Sequence, residues 1–316
     1  MTAKTHLSYV ALALDDVAAA QAVLTDGLGM VRGHTLSHGQ PVSTVLAGNI
    51  ALVLFERTDP RLGQNTPRGV HHLGFVADEP EQLLEHAALG STDHFEHGIG
   101  GPQWAVDAAR TAGASIRLGT NFAHTINGDP TPGHPLIERI DHIGIASGDN
   151  RTAESIYTNG LGLPVESRQT DMEVRTVVES FTSDRYGVVY HAREPEPVGG
   201  LRVTFITAGE CELEFLEEVD TQAMSGSRSA ALGHKAGTTR QDQGAVGRFI
   251  ERRGPGLHHL AFKTPNINSA LDQLREVGVR TIDQVGRPGS RRAQIGFIHP
   301  SATGGVLVHL VEREPL

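Results

Sequence analysis

Residues 257–279 read LHHLAFKTPNINSALDQLREVGV. Apolar and polar residues alternate at first, as in a half-buried strand. A turn bearing Pro and Asn follows, then apolar residues at i, i+3, i+4 spacing, as in an amphipathic helix. A glycine closes the helix where a left-handed cap is needed. The same succession recurs at LSYVALALDDVAAAQAVLTDGLGM (7–30), VHHLGFVADEPEQLLEHAALG (70–90) and IDHIGIASGDNRTAESIYTNGLGL (140–163). Further strands follow each opening: TVLAGNIALVLFE (44–56) resembles TFITAGECELEFLEE (204–218), with glycine between two short strands as in a hairpin. The repeating unit is thus strand–helix–three strands, used four times. This predicts an α+β protein of four βαβββ units, paired into modules 1–127 and 136–316 with concave mixed sheets. The Gly/Pro-rich GDPTPGHP (128–135) reads as the linker. The second unit is the least regular, and its AVDAARTAG reads as a further helical stretch. Residues 168–199 and 219–246 read as insertions, either lids or surface loops.

Composition narrows the function classes. Apolar residues make up 38% of the 316 and charged residues 20%, enough for a buried core. A net charge of -10 argues against nucleic acid or an anionic membrane as partner. With Cys211 as the single cysteine no internal disulfide can form, and no stretch has the length of a membrane span. A cytoplasmic location is the expectation, and a homodimer is left open.

Several strands of the C-terminal half place polar side chains opposite their apolar face. In DHIGIAS, Ile143 and Ile145 share one face and His142 the other; in HHLAF, Leu260 and Phe262 oppose His259. In ECELEFLEE, Leu213 and Phe215 oppose Glu214, and in GVLVHLVE His309 shares a face with Leu307 and Val311. His142 and His259 lie on the first strands of units three and four, Glu214 and His309 on the last. A pseudo-two-fold would gather all four. Three imidazoles and a carboxylate suit a divalent ion such as Zn, Mn, Co, Ni or Fe, with room for a bidentate oxygen ligand. The equivalent N-terminal positions are Tyr9, Val53 and His72, so only one ligand type is kept and that module is expected to lack a metal site. His71 and His258 are expected to be hydrogen-bonded only. Arg287, Arg291 and Arg292 either meet an acidic group or are solvated.

With these motifs the sequence resembles the vicinal oxygen chelate superfamily of glyoxalases, extradiol dioxygenases and methylmalonyl-CoA epimerases. IDHIGIAS, ELEFLEE, FIERRGPGLHHLAFKT and RPGSRRAQIGFIHPSATGGVLVHLVE are most similar to the epimerases. Their metal set of His, Gln or Glu, His and Glu maps onto His142, Glu214, His259 and His309, the last being a departure. Their HPKS-like turn is HPSA (299–302) here, without the lysine. Their base lies before the third strand of the unit, where this chain has EPEPVGGLRV (194–203). The resemblance implies proton transfer beside a carbonyl through a metal-stabilised enediolate, on a small oxygenated carbonyl substrate. Glu214 is one candidate acid–base group, and Glu194, Glu196 or His191 the second. Tandem members of the superfamily include epimerases of keto-cyclitols such as 2-epi-5-epi-valiolone. Acyl-CoA epimerisation and iron-dependent ring cleavage are the alternatives.

Overall fold

The computed structural model describes residues 5–87, 89–127, 136–192, 194–220 and 239–313. The expected linker 128–135 and most of the second insertion lie outside the described residues. The described chain forms two large sheets. The first contains β1 (His6–Leu14), β2 (Val31–Ser37), β3 (Gln40–Ala47), β4 (Ile50–Glu56), β5 (Gly69–Val76), β6 (Asp93–Phe95), β7 (Gln103–Val106), β8 (Ile116–Gly119) and β9 (His124–Ile126). Their order is β6-β7-β8-β5-β1-β4-β3-β2-β9. The second contains β10 (Arg139–Ser147) and β11 (Val165–Arg175), followed after a separate hairpin of β12 (Val178–Ser183) and β13 (Gly187–Ala192) by β14 (Glu196–Thr207) and β15 (Glu212–Glu218). It is completed by β16 (Gly256–Lys263), β17 (Arg287–Pro288), β18 (Gln294–Ile298) and β19 (Val308–Glu312), in the order β11-β14-β15-β10-β16-β19-β18-β17. Four βαβββ units in two tandem modules are therefore present, as the repeat predicts.

Each sheet turns on one antiparallel pair flanked by parallel partners: β1 with β5 between β4 and β8, and β10 with β16 between β15 and β19. Helix α1 (Val17–Ala22) is capped by the Asp16 carboxylate, which accepts from the amide of Ala19. Asp149 does the same for α3 (Asn150–Ser155), as does Asn266 for the later helix of unit four. Helix α2 (Pro80–His86) starts on proline. In every unit the chain leaves the helix through a glycine at positive φ: Gly29, Gly90, Gly162 and Gly278.

Two expectations need correction. AVDAARTAG is not a helix: its first residues end β7, and a single 3-10 turn, Ala108–Arg110, precedes β8. The first insertion is not an irregular loop, because β11 and β14 stay paired, across a register shift between Glu173 and Val174, as far as Arg175 and Glu196, and the β12–β13 hairpin lies between them in the chain. At the end of the second insertion, residues 239–246 open α4 (Thr239–Arg253), ahead of α5 (Ile267–Glu276). Among the described residues no helix is long and apolar enough to cross a membrane.

The apolar strand faces of both sheets and the helices form one core. Leu12, Leu52 and Leu73 of the first module belong to the same buried cluster as Ile143, Phe215, Leu260 and Leu271 of the second. Polar links cross the junction too: the Tyr157 hydroxyl donates to the Thr111 carbonyl at 3.2 Å, and the Asn49 side-chain amide donates to Glu210 at 2.9 Å. The other, concave faces differ. In the first module Tyr9, Val53, Phe55, Leu62 and Ile99 fill the concavity themselves, whereas the second keeps a cavity. A common core predicts a single cooperative unfolding transition. Leu260→Ala should destabilise the whole chain by about 2–5 kcal/mol. Calorimetry resolving two transitions, only one of them moved by the substitution, would contradict the shared core.

Candidate functional site

Strand register brings the four expected residues together. On β10, Gly144 lies between Glu214 of β15 and His259 of β16. In the next row His142 faces Ala261 of β16, which in turn faces His309 of β19. A side chain at position 144 would overlap the His259 ring, so glycine there makes the room the imidazole occupies. Glu214 Oε2 lies 3.4 Å from Nε2 of both His142 and His259. One ligand nitrogen from each of His142, His259 and His309 lies within 4.8 Å of the others. All four residues are at most 7% exposed.

The chemistry of this set fits a divalent cation. Nδ1 of His142 is hydrogen-bonded to Asp141 at 2.8 Å, which leaves Nε2 to face the cluster. Nε2 of His259 and Nδ1 of His309 are buried without a hydrogen-bond partner, an arrangement that costs stability unless something accepts their lone pairs. Burial, aided by the neighbouring imidazoles, holds His309 well below the usual histidine range. Burial also lowers His259, against the pull of Glu214, so both are neutral donors near pH 7. Burial opposes charge on His142 as well, but Glu214 and Asp141 overcome it and raise its pKa. Burial likewise opposes ionisation of Glu214, and the His142 and His259 side chains overcome it and lower its pKa. Asp141 is brought down to about 2 despite burial, by His142, Arg313 and Arg139.

The cluster forms the floor of a cavity of about 260 Å³. Its walls are mostly apolar: Leu201, Phe205 and Leu216 on one side, Phe297 and Leu307 on the other, Val246 of α4 above. The Arg291 guanidinium lies 3.7 Å above the Phe205 ring and is paired with Glu166 at 2.8 Å and Glu212 at 2.5 Å. Arg287 also lines the cavity, with Nε 3.2 Å from Asp283, while Arg292 is exposed.

The remaining acid–base candidates are not brought here. His191 is exposed on the β12–β13 hairpin, Glu194 is exposed between strands, and Glu196 is held by Arg175 at 2.5 Å. None of the three lines the cavity, because the long β11–β14 ribbon carries them away from the sheet centre. Asp242, overlooked in the sequence, does line it. Its signal was the apolar spacing of Val246, Phe249 and Ile250, which extends the helix back into the apparent loop. His258 is hydrogen-bonded to His259 at 3.0 Å and His71 to His72 at 2.7 Å, as expected of non-ligands.

The first module presents the same lattice with other residues. Val53 faces Ala11, which faces His72; Tyr9 faces Gly74, which faces Arg117. Arg117 thus stands where the second module has His309, a correspondence that the irregular sequence of unit two conceals. The Tyr9 hydroxyl donates to Gln103 at 3.1 Å and meets His72 Nε2 at 3.2 Å. Burial raises the phenol to about 12 despite Arg117 and Gln103.

A family model described as Glyoxalase/Bleomycin resistance protein/Dioxygenase superfamily matches residues 139–309. An uncharacterized protein of Bacillus subtilis, YqjC, is 29% identical over 176 residues, 56% of this chain and 93% of that protein. The mitochondrial methylmalonyl-CoA epimerase of Bos taurus is 26% identical over 211 residues, 65% of this chain and 95% of the relative. Over 99% of the chain and 93% of its own length, a mutant 4-hydroxymandelate synthase from Streptomyces coelicolor superposes with a TM-score of 0.62 at 16% identity. That last likeness is one of fold.

Replacing Asp141 by Asn should weaken zinc binding about 10–100-fold, measured by competition with a chromophoric chelator, because it loosens the orientation of His142. An unchanged affinity would remove Asp141 from the site. The metal-free protein should also lose stability as pH falls from 7 to 5. His71 (about 4), His258 (about 3), His72, His259 and His309 all have pKa values depressed, chiefly by burial. The unfolded chain then binds more protons below pH 6.5, which costs at most about 1.4 kcal/mol per pH unit for each such group. His142, Asp171 and Asp242, whose pKa values are raised, offset part of this. Urea midpoints that stay level across this range would contradict the assignment.

Proposed function

The chain belongs to the glyoxalase/bleomycin resistance protein/dioxygenase superfamily, and on that premise we propose that it is a divalent-metal-dependent epimerase acting at the carbon next to a carbonyl. Residues 136–316 would be the catalytic, metal-binding module and 1–127 a module without a metal site. The observation that carries the reading is the buried set of His142, Glu214, His259 and His309 at the floor of the second concavity. These four residues would hold the ion. When bound, a divalent ion there supplies Lewis-acid charge to a carbonyl oxygen, which makes the adjacent C–H bond acidic. The protein's own part is to exclude water with the apolar walls, orient the carbonyl, and move the proton. Glu214 is the carboxylate of the set, kept ionised by His142 and His259, and would accept the proton.

Two substrates are supported by different observations. A cavity of about 260 Å³ lies just below the roughly 300–1,000 Å³ of sites that enclose drug-sized ligands. It suits a free small ketone, and a keto-cyclitol such as 2-epi-5-epi-valiolone is the leading candidate on size. The apolar walls and the methylmalonyl-CoA epimerase relatives favour an acyl thioester whose acyl end alone enters. Iron-dependent ring cleavage is disfavoured by a fourth protein donor, which takes a position that substrate and oxygen would share on a two-His-one-carboxylate face.

The test is turnover in deuterated water by the zinc-, cobalt- or manganese-loaded protein, offered 2-epi-5-epi-valiolone and methylmalonyl-CoA in turn. One of them should epimerise with one deuterium at the inverted carbon, read by mass spectrometry and proton NMR. Inversion without deuterium rules out proton exchange with solvent, and oxygen uptake by the iron-loaded protein would replace this reading with the dioxygenase.

A further inference from the structure

Inversion takes a proton off one face of a carbon and returns one to the other, so the proposed epimerisation needs a second proton carrier besides Glu214. Besides the four residues proposed to hold the ion, the ionisable side chains lining the cavity are Asp141, Asp242, His258, Arg287, Arg291 and Arg313. Asp141 is committed to His142 at 2.8 Å and to Arg313 at 3.0 Å. His258 is tied to His259, and burial pushes its pKa down to about 3. The arginines do not give up protons in proteins. Asp242 remains.

Asp242 lies in the first turn of α4, and it shares the cavity face with Ala245 and Val246 at i, i+3, i+4 spacing. Val246 is 2% exposed and packs with Leu201, Phe205 and Leu216, so that face of the helix is fixed against the cavity. Among the described residues no hydrogen bond or ion pair engages the Asp242 carboxyl. The groups facing it are Glu214 of β15, Asp171 of β11 and Arg287 of β17. Burial and the two carboxylates raise its pKa to about 6 against Arg287, so both protonation states are populated near neutrality.

We infer that Asp242 is the second acid–base residue, serving the reacting carbon from the α4 side of the cavity while Glu214 serves it from the sheet. This role rests on the epimerase reading. In one direction the C–H electron pair moves toward the carbonyl oxygen as Glu214 takes the proton. The pair then returns to carbon as Asp242 gives up its own proton. Glu214 is left protonated and Asp242 ionised, and exchange with solvent resets both. The reverse reaction uses them in the opposite order. Two carboxyl groups whose surroundings drive their pKa values apart are the usual basis of such a division of roles.

The first readout needs no turnover. Oxalate, a planar dianion shaped like an enediolate, is titrated calorimetrically into the zinc-loaded full-length protein between pH 5 and 7. Oxalate should bind with uptake of a proton by Asp242, so its affinity should fall toward tenfold per pH unit above pH 6. Asp242→Asn should bind zinc with unchanged stoichiometry and lose this dependence. A dependence that persists in the variant, or loss of zinc from it, would overturn the assignment, the latter by making Asp242 a support of the metal set. The second readout uses whichever substrate exchanges deuterium. Asp242→Asn should lower kcat by about 10²–10⁴ and leave KM within about threefold, and Asp242→Glu should recover part of kcat. A kcat equal to wild type would refute the role. If neither substrate exchanges, the epimerase reading fails, while the oxalate titration still decides whether Asp242 serves the cavity.

Discussion

The antiparallel pairing of β10 with β16, in the register that sets Gly144 against His259, is the constraint on which the site depends. It fixes two imidazoles on neighbouring strands one row apart, and the parallel partners β15 and β19 add Glu214 and His309 from either side. A slip of one residue would turn every one of these side chains into the apolar core. The hydrophobic alternation that forbids the slip is therefore also what holds the polar set in place: Ile143, Ile145, Leu260 and Phe262 are buried on the opposite face.

The first module shows what the same backbone does with other side chains. Its central pair has an equivalent register, yet Tyr9, Phe55, Leu62 and Ile99 occupy the concavity. The buried Arg117 brings its positive charge there on a side chain, stacked 4.7 Å from the Phe95 ring and beside the Tyr9 phenol. One half of the chain has a fixed internal cation and a filled face, and the other has unshared lone pairs and a cavity.

Much of this was legible because strands write their faces into the sequence with a period of two. His142, Glu214, His259 and His309 each interrupt an apolar alternation at matching places in matching units, so their convergence followed from the repeat. Asp242 was hidden because α4 begins among glycine and glutamine, where helical periodicity is weak until Val246. Arg117 was hidden because β6, β7 and β8 are short, three or four residues each, and the 3-10 turn between β7 and β8 imitates a helix in composition. The β11–β14 ribbon misled for the opposite reason. Strand β11 and the β12–β13 hairpin have the burial pattern of exposed strands, so nothing local told which way Glu194 and His191 would be carried.

The two glycines at the sheet centres also bear on how such duplicated folds diverge. In the second module the vacant position is on β10, beneath His259; in the first it is on β5, at Gly74, beneath the ring of Tyr9. The hollow has moved to the other strand of the pair, and Ala11 stands where the second module has Gly144. The first module already sets the His72 imidazole against the Ala11 methyl group, and exchanging Tyr9 for histidine would leave the space over Gly74 that the Tyr9 ring now fills underfilled. The specialisation of the two halves is written in the backbone's neighbours as well as in the ligands, which makes the silent copy hard to reawaken by exchange of ligands alone.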